Sequence, residues 1–152
     1  MKYLIGCLGL FLILLFPHPS AAQRIAANEA SAVGAVRTIL TAEVTYASTY
    51  PRNGFTCDLS HLGGSSGAPN AYHADLIDVE LASGIRRGYR FVFRNCSGNG
   101  STIYSFSIVA YPLEPDESGV RAFCSDQTGV IRYESSGSAE TCGRSSPPLS
   151  SR

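Results

Sequence analysis

The sequence predicts an α+β fold in which one long N-terminal helix packs on an antiparallel sheet of about four strands. Two observations carry this prediction. Apolar residues recur at helical spacing between residues 28 and 50, and from residue 89 onward they alternate with polar residues between turn-forming segments. One helix followed by consecutive short strands is typical of α+β domains, in which the helix covers one face of the sheet.

Length and composition fit one small globular domain with long connections. The chain has 152 residues with 15 Gly and 8 Pro, and twelve Lys plus Arg balance twelve Asp plus Glu. Balanced charge favours neither a nucleic-acid binder nor a polybasic membrane protein as a class. Any partner must therefore be argued from local features.

The first 22 residues have the pattern of a secretory signal peptide. An apolar run at 3–16 is followed by PHPSAAQ, which places Ser20 and Ala22 three and one residues before a cut ahead of Gln23. The run is short of the roughly 20 residues that a spanning helix needs. We expect a periplasmic or secreted protein. The alternative is a degenerate membrane anchor that holds the chain at the inner membrane.

The predicted helix at 28–50 ends near Tyr50, because the residue before Pro51 is pushed out of the helical region. Its apolar stripe, which we expect to face the sheet, consists of Val33, Val36, Leu40, Val44 and Ala47. The opposite side carries small hydroxyl residues where a solvent-facing helix usually carries Glu and Lys, namely Thr38, Thr41, Thr45, Ser48 and Thr49. This side is expected either to border neighbouring subunits or to be an ordinary wet face.

The rest of the domain is predicted to be a strand meander. A turn-rich connection leads to a short helical segment that Gly84 ends as C-cap. Strands follow at 89–94, 104–110, 120–125 and 130–133, with SGNG and DQTG as turns and PLEPDESG as a longer link. The segment RSSPPLSSR at 144–152 is predicted to be a disordered tail, which leaves 23–143 as the folded domain.

Cysteine usage agrees with export. Removal of the signal takes Cys7 away and leaves an even number of cysteines, Cys57, Cys96, Cys124 and Cys142. Their spacing is too wide for a CxxC metal or redox motif. Of the three pairings that four cysteines allow, Cys57 with Cys96 and Cys124 with Cys142 are favoured, because each joins neighbours in the predicted layout.

Several segments together resemble a known family. RIAANEASAVGAVRTILTAEVTYASTYP, the turn DLSHLGG, LIDVELASGIRRGYRF and RAFCSDQTGVIRY occur in the order and at the distances found in bacterial type IV pilins and the related pseudopilins of type II secretion. The resemblance runs from about residue 24 to residue 142. It implies a long helix on a four-stranded antiparallel sheet, a head carried on a filament of helices, a disulfide matching Cys124 and Cys142, and no catalysis. The implied partners are other pilin or pseudopilin subunits, or pilus and secretion assembly components.

The chain departs from this family before the helix. Type IV prepilins carry a Gly-Phe-Thr-Leu-x-Glu cleavage motif and about twenty apolar residues that continue into the helix, and here no Glu stands in the apolar run. We therefore expect either a pilin headpiece exported through an ordinary signal peptide or a minor pilin with a shortened anchor. The alternative function is a soluble periplasmic or secreted binding module that reuses the head fold.

A basic run along the first strand is the candidate ligand site for that alternative. It consists of Arg86, Arg87, Arg90 and Arg94, and such a run suits DNA phosphates or another anion. The same alternation is also that of an ordinary exposed strand face, and Asp75, Asp78 and Glu80 are close enough in sequence to neutralise it. Nucleic acid is therefore a less favoured partner.

No metal, cofactor or catalytic residue is predicted. His61 and His73 lack the spacing of zinc ligands, and the loop at 115–119 offers two carboxylates where calcium takes six to eight oxygen ligands. The sequence contains no GxSxG motif and no pattern that suggests a Cys–His nucleophile pair. The residues thus favour a structural or interaction protein over an enzyme.

Overall fold

The computed structural model describes residues 19–150. They form a long helix, α1 (Ala21–Thr49), and two short helices, α2 (Leu59–Leu62) and α3 (Val79–Ala82). Five strands follow, β1 (Ile85–Arg86), β2 (Tyr89–Asn99), β3 (Thr102–Pro112), β4 (Ala122–Asp126) and β5 (Arg132–Glu134). The apolar run at 3–16, predicted as signal or anchor, lies outside the described residues.

The predicted α+β arrangement of one long helix and an antiparallel sheet is confirmed, but the strand count is five and the prediction of about four was wrong. The sheet order is β1-β2-β3-β4-β5. The additional strand is β1, whose Ile85 pairs with Arg90. Arg87 and Gly88 both have positive φ, as a tight two-residue hairpin turn requires. A strand of two residues leaves no alternation to detect.

Helix α1 begins and ends on local signals. The Ser20 hydroxyl accepts the Gln23 backbone N–H, and the Gln23 side-chain oxygen accepts the Ser20 N–H, which makes a reciprocal capping box. The helix ends at Thr49, as Pro51 predicted. Burial begins at Glu29, and residues 21–27 are mostly exposed. The first two turns of α1 therefore project beyond the sheet.

The buried face of α1 differs from the predicted stripe. Val33 and Val36 are buried as predicted, but Val44 is 62% exposed, so the stripe was wrong there. The buried residues of α1 are Glu29, Ala32, Val33, Ala35, Val36, Ile39, Ala42, Glu43 and Tyr46. The helix is rotated toward Ile39 and Tyr46, because burying these larger side chains removes more apolar surface from water than burying Val44 and Ala47.

Both faces of the sheet are covered. The main core lies between α1 and one face and includes Ile39, Tyr89, Phe91, Phe106, Ile108 and Phe123. Alternation turns Val109, Ala122 and Cys124 to the other face, where they form a smaller cluster with Cys142. The segment after β5 therefore covers the face that α1 leaves free.

Two disulfides connect these layers, with the favoured pairings. Cys57 and Cys96 have Cα atoms 6.3 Å apart, and Cys124 and Cys142 have Cα atoms 5.9 Å apart. The first bond ties the loop before α2 to β2, and the second ties β4 to the C-terminal segment. Disulfides of this kind are typical of proteins in an oxidising, exported environment. Within residues 19–150, no helix has both the length and the apolar character that crossing a membrane demands.

Residues 144–150, within the segment predicted to be a disordered tail, lie along β5. The Tyr133 N–H donates to the Pro147 carbonyl, and the Leu149 N–H donates to the Ile131 carbonyl. The Leu149 side chain packs against the main core. This segment therefore occupies the outer edge of β5, which would otherwise offer free backbone groups to another strand.

Candidate functional site

The structure does not gather the predicted arginine run into one patch. Arg86 Nη1 lies 3.1 Å from Asp78 Oδ2, and its Nε lies 3.6 Å from Glu80 Oε2. Arg94 donates to the Ala139 carbonyl at 3.2 Å. Arg87 lies in the β1–β2 turn. Arg90 shares a face of β2 with Arg94, but four residues of extended strand separate them by about 13 Å. Arg86 and Arg94 are thus already engaged by the chain.

The two histidines lie in separate local networks. His61 Nδ1 is 3.2 Å from the Thr56 hydroxyl, and its Nε2 is 3.9 Å from Asp58 Oδ2. His73 closes a turn with Asn70 through reciprocal backbone hydrogen bonds. Among residues 19–150, no three His, Cys, Asp or Glu side chains group as a metal site requires.

The outward face of α1 is almost free of charge. Between residues 37 and 49 its exposed residues include one charged side chain, Arg37. Five hydroxyls on this face donate to the carbonyl four residues earlier, over 2.8 to 3.2 Å, and they belong to Thr38, Thr41, Thr45, Ser48 and Thr49. Each hydroxyl proton is thus satisfied within the helix. Burying such a face against a partner costs far less desolvation free energy than burying a face of Glu and Lys.

An open apolar groove borders this helix face. It runs between α1 and the β4–β5 loop and is lined by Arg37, Leu40, Thr41, Val44, Gly129, Val130, Ile131 and Leu149. Val44 is 62% exposed and Val130 is 42% exposed. Exposed apolar groups that lie side by side make this groove a candidate interaction surface. We name the outward face of α1 together with this groove the α1 surface.

A separate cavity of about 240 Å³ lies at the end of the sheet. It opens where β3–β4 pairing stops at Ser107 and Asp126. A bulge in β2, with Asn95 at φ 50, sends that residue to the cavity wall. The other polar lining residues are Ser105, Ser107, Ser125, Asp126, Gln127, Arg132 and Arg144. Sequence reasoning missed this cavity because its residues come from four segments that only the tertiary fold brings together.

Asp126 and Arg144 form an ion pair at the cavity wall. Arg144 Nε lies 2.8 Å from Asp126 Oδ2, and the Asp126 side chain is largely buried. Burial opposes ionisation, but hydrogen bonds from the Thr128 hydroxyl and amide and from Arg144 lower the pKa of Asp126 below its usual value. Asp126 is therefore a carboxylate whose charge Arg144 balances.

Two further acidic side chains are buried in α1, and the sequence prediction assigned neither of them a role. Glu29 accepts the backbone N–H groups of Val120 and Arg121 at 3.1 and 3.0 Å, and it pairs with the Arg121 guanidinium at 2.6 Å. Next to it, the Asn28 side-chain amide donates to the Ser118 carbonyl at 2.9 Å. These bonds fasten the start of the buried part of α1 to the β3–β4 connection.

Glu43, in contrast, has no basic partner among residues 19–150. One carboxyl oxygen accepts the Thr56 N–H, and the other has no hydrogen-bond partner in the described part of the chain. An acidic residue in helical register with apolar residues was the available sequence signal for both, because Glu29 stands four residues before Val33 and Glu43 four residues after Ile39. An acid at such a position must be paired or neutralised when the helix is buried.

Comparisons of the chain with family models, with curated proteins and with solved structures found no match.

Proposed function

We propose that this protein is an exported, non-enzymatic pilin-like subunit or accessory factor of a type IV pilus or type II secretion system. The observation that carries the proposal is the α1 surface, an almost uncharged helix face with satisfied hydroxyls beside an apolar groove. The segment resemblance to pilins supports the same role.

The α1 surface suits a protein partner of low charge. Apart from Arg37, its exposed groups are methyls, hydroxyl oxygens and aliphatic side chains. A partner helix with small and apolar residues that packs on this uncharged part leaves no buried charge unpaired. The proposed partners are other pilin or pseudopilin subunits. The projecting first turns of α1 extend the surface along the helix axis beyond the sheet.

Site-specific photo-crosslinking in the producing cell tests this role. A photoreactive residue at Thr45, on the α1 surface, is expected to capture pilin or pseudopilin subunits that mass spectrometry identifies. The matched control places the same residue at Tyr104, which is 61% exposed on β3, and should capture none. Adducts at Tyr104 alone, or a chain that never co-purifies with pilus or secretion components, would refute the proposal.

A second variant measures the contribution of the groove. Val44→Glu places a charge on the exposed apolar patch without touching the core, so the domain should keep its stability within about 0.5 kcal/mol. We expect the crosslinks from Thr45 to be lost in this variant. Ser101→Glu, at an exposed position in the β2–β3 turn, adds the same charge outside the lining of the groove and should leave them unchanged.

A further inference from the structure

The cavity at the end of the sheet is built from fixed parts. The Cys124–Cys142 disulfide lines it and holds β4 and the C-terminal segment together. Gly143 and Arg144 follow this bond directly. The wall formed by the C-terminal segment is thus covalently tied to the wall formed by β4.

The charges at the cavity sum to one unit of positive charge. Asp126 and Arg144 balance each other. Arg132 donates to the Ser146 carbonyl at 2.9 Å and has no carboxylate within 4 Å in the part of the chain that the structure describes. Glu134, two residues further on β5, directs its carboxylate to the N–H groups of Ser136 and Ser138 instead. Among residues 19–150, the half-buried Arg132 is therefore a cation at the cavity wall without a carboxylate partner of its own.

The remaining lining is neutral and polar. Ser105, Ser107, Asn95 and Gln127 present hydroxyl and amide groups to the cavity. Each of them also has a hydrogen bond within the protein: Asn95 donates to the Ser107 hydroxyl, and Ser107 donates to the Arg94 carbonyl. Ser105 shares a hydrogen bond with the Ser97 hydroxyl, and the Gln127 side-chain oxygen accepts the Phe106 N–H. Among the described residues, the second amide proton of Asn95 and the Gln127 NH₂ group are left for a ligand. The volume corresponds to about eight water molecules at roughly 30 Å³ each. A ligand of six to ten heavy atoms, as an order of magnitude, fills such a space.

We propose that this cavity binds a small organic anion that carries one carboxylate and at least one hydroxyl group, with the carboxylate on Arg132. A planar guanidinium forms paired hydrogen bonds with a carboxylate, and the serine and amide groups match the ligand hydroxyl. This is a second site beside the assembly surface, and the linings of the cavity and the groove share Val130. It also differs from the basic run on β1, the β1–β2 turn and β2, which the fold partly neutralises.

Nuclear magnetic resonance titration of the ¹⁵N-labelled full chain tests the proposal, with sodium L-lactate as the probe and sodium chloride at equal ionic strength as the reference. We expect saturable shifts of the Ser105, Ser107 and Gln127 amides and of the Arg132 Nε–H signal. Arg132→Gln should weaken the affinity about tenfold or more, because it removes charged hydrogen bonds to the ligand. Arg90→Gln, on the same sheet face but outside the cavity, should bind as the parent chain does.

Two further variants test the proposal if Arg132→Gln fails to fold, because one removes the net positive charge of the cavity and the other restores it. Arg144→Gln leaves Asp126 unbalanced and should weaken lactate binding, whereas Asp126→Asn/Arg144→Gln returns the cavity to one positive charge and should restore it. Equal shifts with chloride, saturation by inorganic phosphate but not lactate, or equal affinity in the single and double variants would each overturn the proposal.

Discussion

Glu43 accepts the backbone N–H of Thr56 at 2.9 Å while its side chain is completely buried and its second oxygen has no partner in the described residues. Burial raises the pKa of Glu43 to about 8, and the hydrogen bond from Thr56 offsets this only in part. Tyr46, on the same helix, interacts electrostatically with Glu43, and the hydroxyl of Thr56 lies 3.2 Å from His61 Nδ1. Glu43 is therefore protonated in the folded chain at neutral pH.

This burial predicts a stability that falls with rising pH. Between pH 4.5 and about 8 the folded state holds one proton more than the unfolded state, so the free energy of unfolding declines by up to about 1.4 kcal/mol per pH unit. The contribution of Glu43 is complete below pH 4.5 and is lost by about pH 8. Urea unfolding of Glu43→Gln should show this slope removed. Glu80→Gln, an exposed control, should keep the pH dependence of the parent chain. A free energy of unfolding that declines with pH in Glu43→Gln as steeply as in the parent chain would contradict the prediction.

The pair of Glu29 and Arg121 predicts the opposite dependence. Burial acts to raise the pKa of Glu29, but the bonds from Arg121 and the Val120 amide outweigh it and lower the pKa below 4.5. The stabilisation is present above pH 4.5 and is lost as pH falls through the lowered value. Because Arg121 is 40% exposed, we expect Glu29→Ala to cost only about 1–3 kcal/mol in urea unfolding at pH 7. Arg24→Ala, on the projecting turns, should stay within about 0.5 kcal/mol of the parent chain.

The two disulfides are expected to stabilise the domain independently. Their sequence separations of 39 and 18 residues correspond to about 3–4 kcal/mol each in the loop-entropy account. Replacing either pair by alanine should lower the free energy of unfolding by about that amount, and the two losses should add. Non-reducing peptide mapping of the parent chain should recover Cys57–Cys96 and Cys124–Cys142, and a crossed pairing would contradict the fold.

Removal of residues 144–152 is predicted to expose the edge of β5. The truncated chain loses the Pro147 and Leu149 backbone bonds and the Leu149 contact with the core. We expect a loss of about 1–3 kcal/mol and concentration-dependent association through the freed edge. Analytical ultracentrifugation measures the association. Leu149→Ser removes the apolar contact alone, so it should be destabilised yet monomeric. Association of Leu149→Ser to the same extent would show that the edge is not the cause.

The parts of the fold that the sequence predicted are those that depend on residues close together in the chain. The alternation at Tyr89, Phe91 and Phe93 predicted β2, and Pro51 predicted the end of α1. The sequence did not predict the rotation of α1 about its axis, because this rotation depends on how side chains pack against the sheet. Ile39 and Tyr46 are buried there, and Val44 is exposed. The Ser- and Pro-rich composition of 144–152 predicted a disordered tail. Composition alone carries no information about the packing of Leu149 against the core.

The candidate site was less accessible from sequence. The arginine run is contiguous in sequence, but in the structure Arg86 turns to Asp78 and Arg94 to Ala139. Arg132 was not predicted as a site residue, because a single arginine in a short strand is common in proteins of any function. Its unbalanced charge appears only once Asp126 is seen to pair with Arg144 and Glu134 to bind its own loop.

The projecting turns of α1 have a mechanical consequence. A pulling force applied to the N-terminal end of α1 reaches the tertiary hydrogen bonds of Asn28 and Glu29, which connect the helix to the β3–β4 connection. Tension thus passes directly from the helix into the sheet. When the sheet unfolds under force, the residues between two bonded cysteines cannot be extended. Each such residue shortens the extended chain by about 3.4 Å. Reducing the disulfides should lengthen the unfolding step seen in a single-molecule pulling experiment.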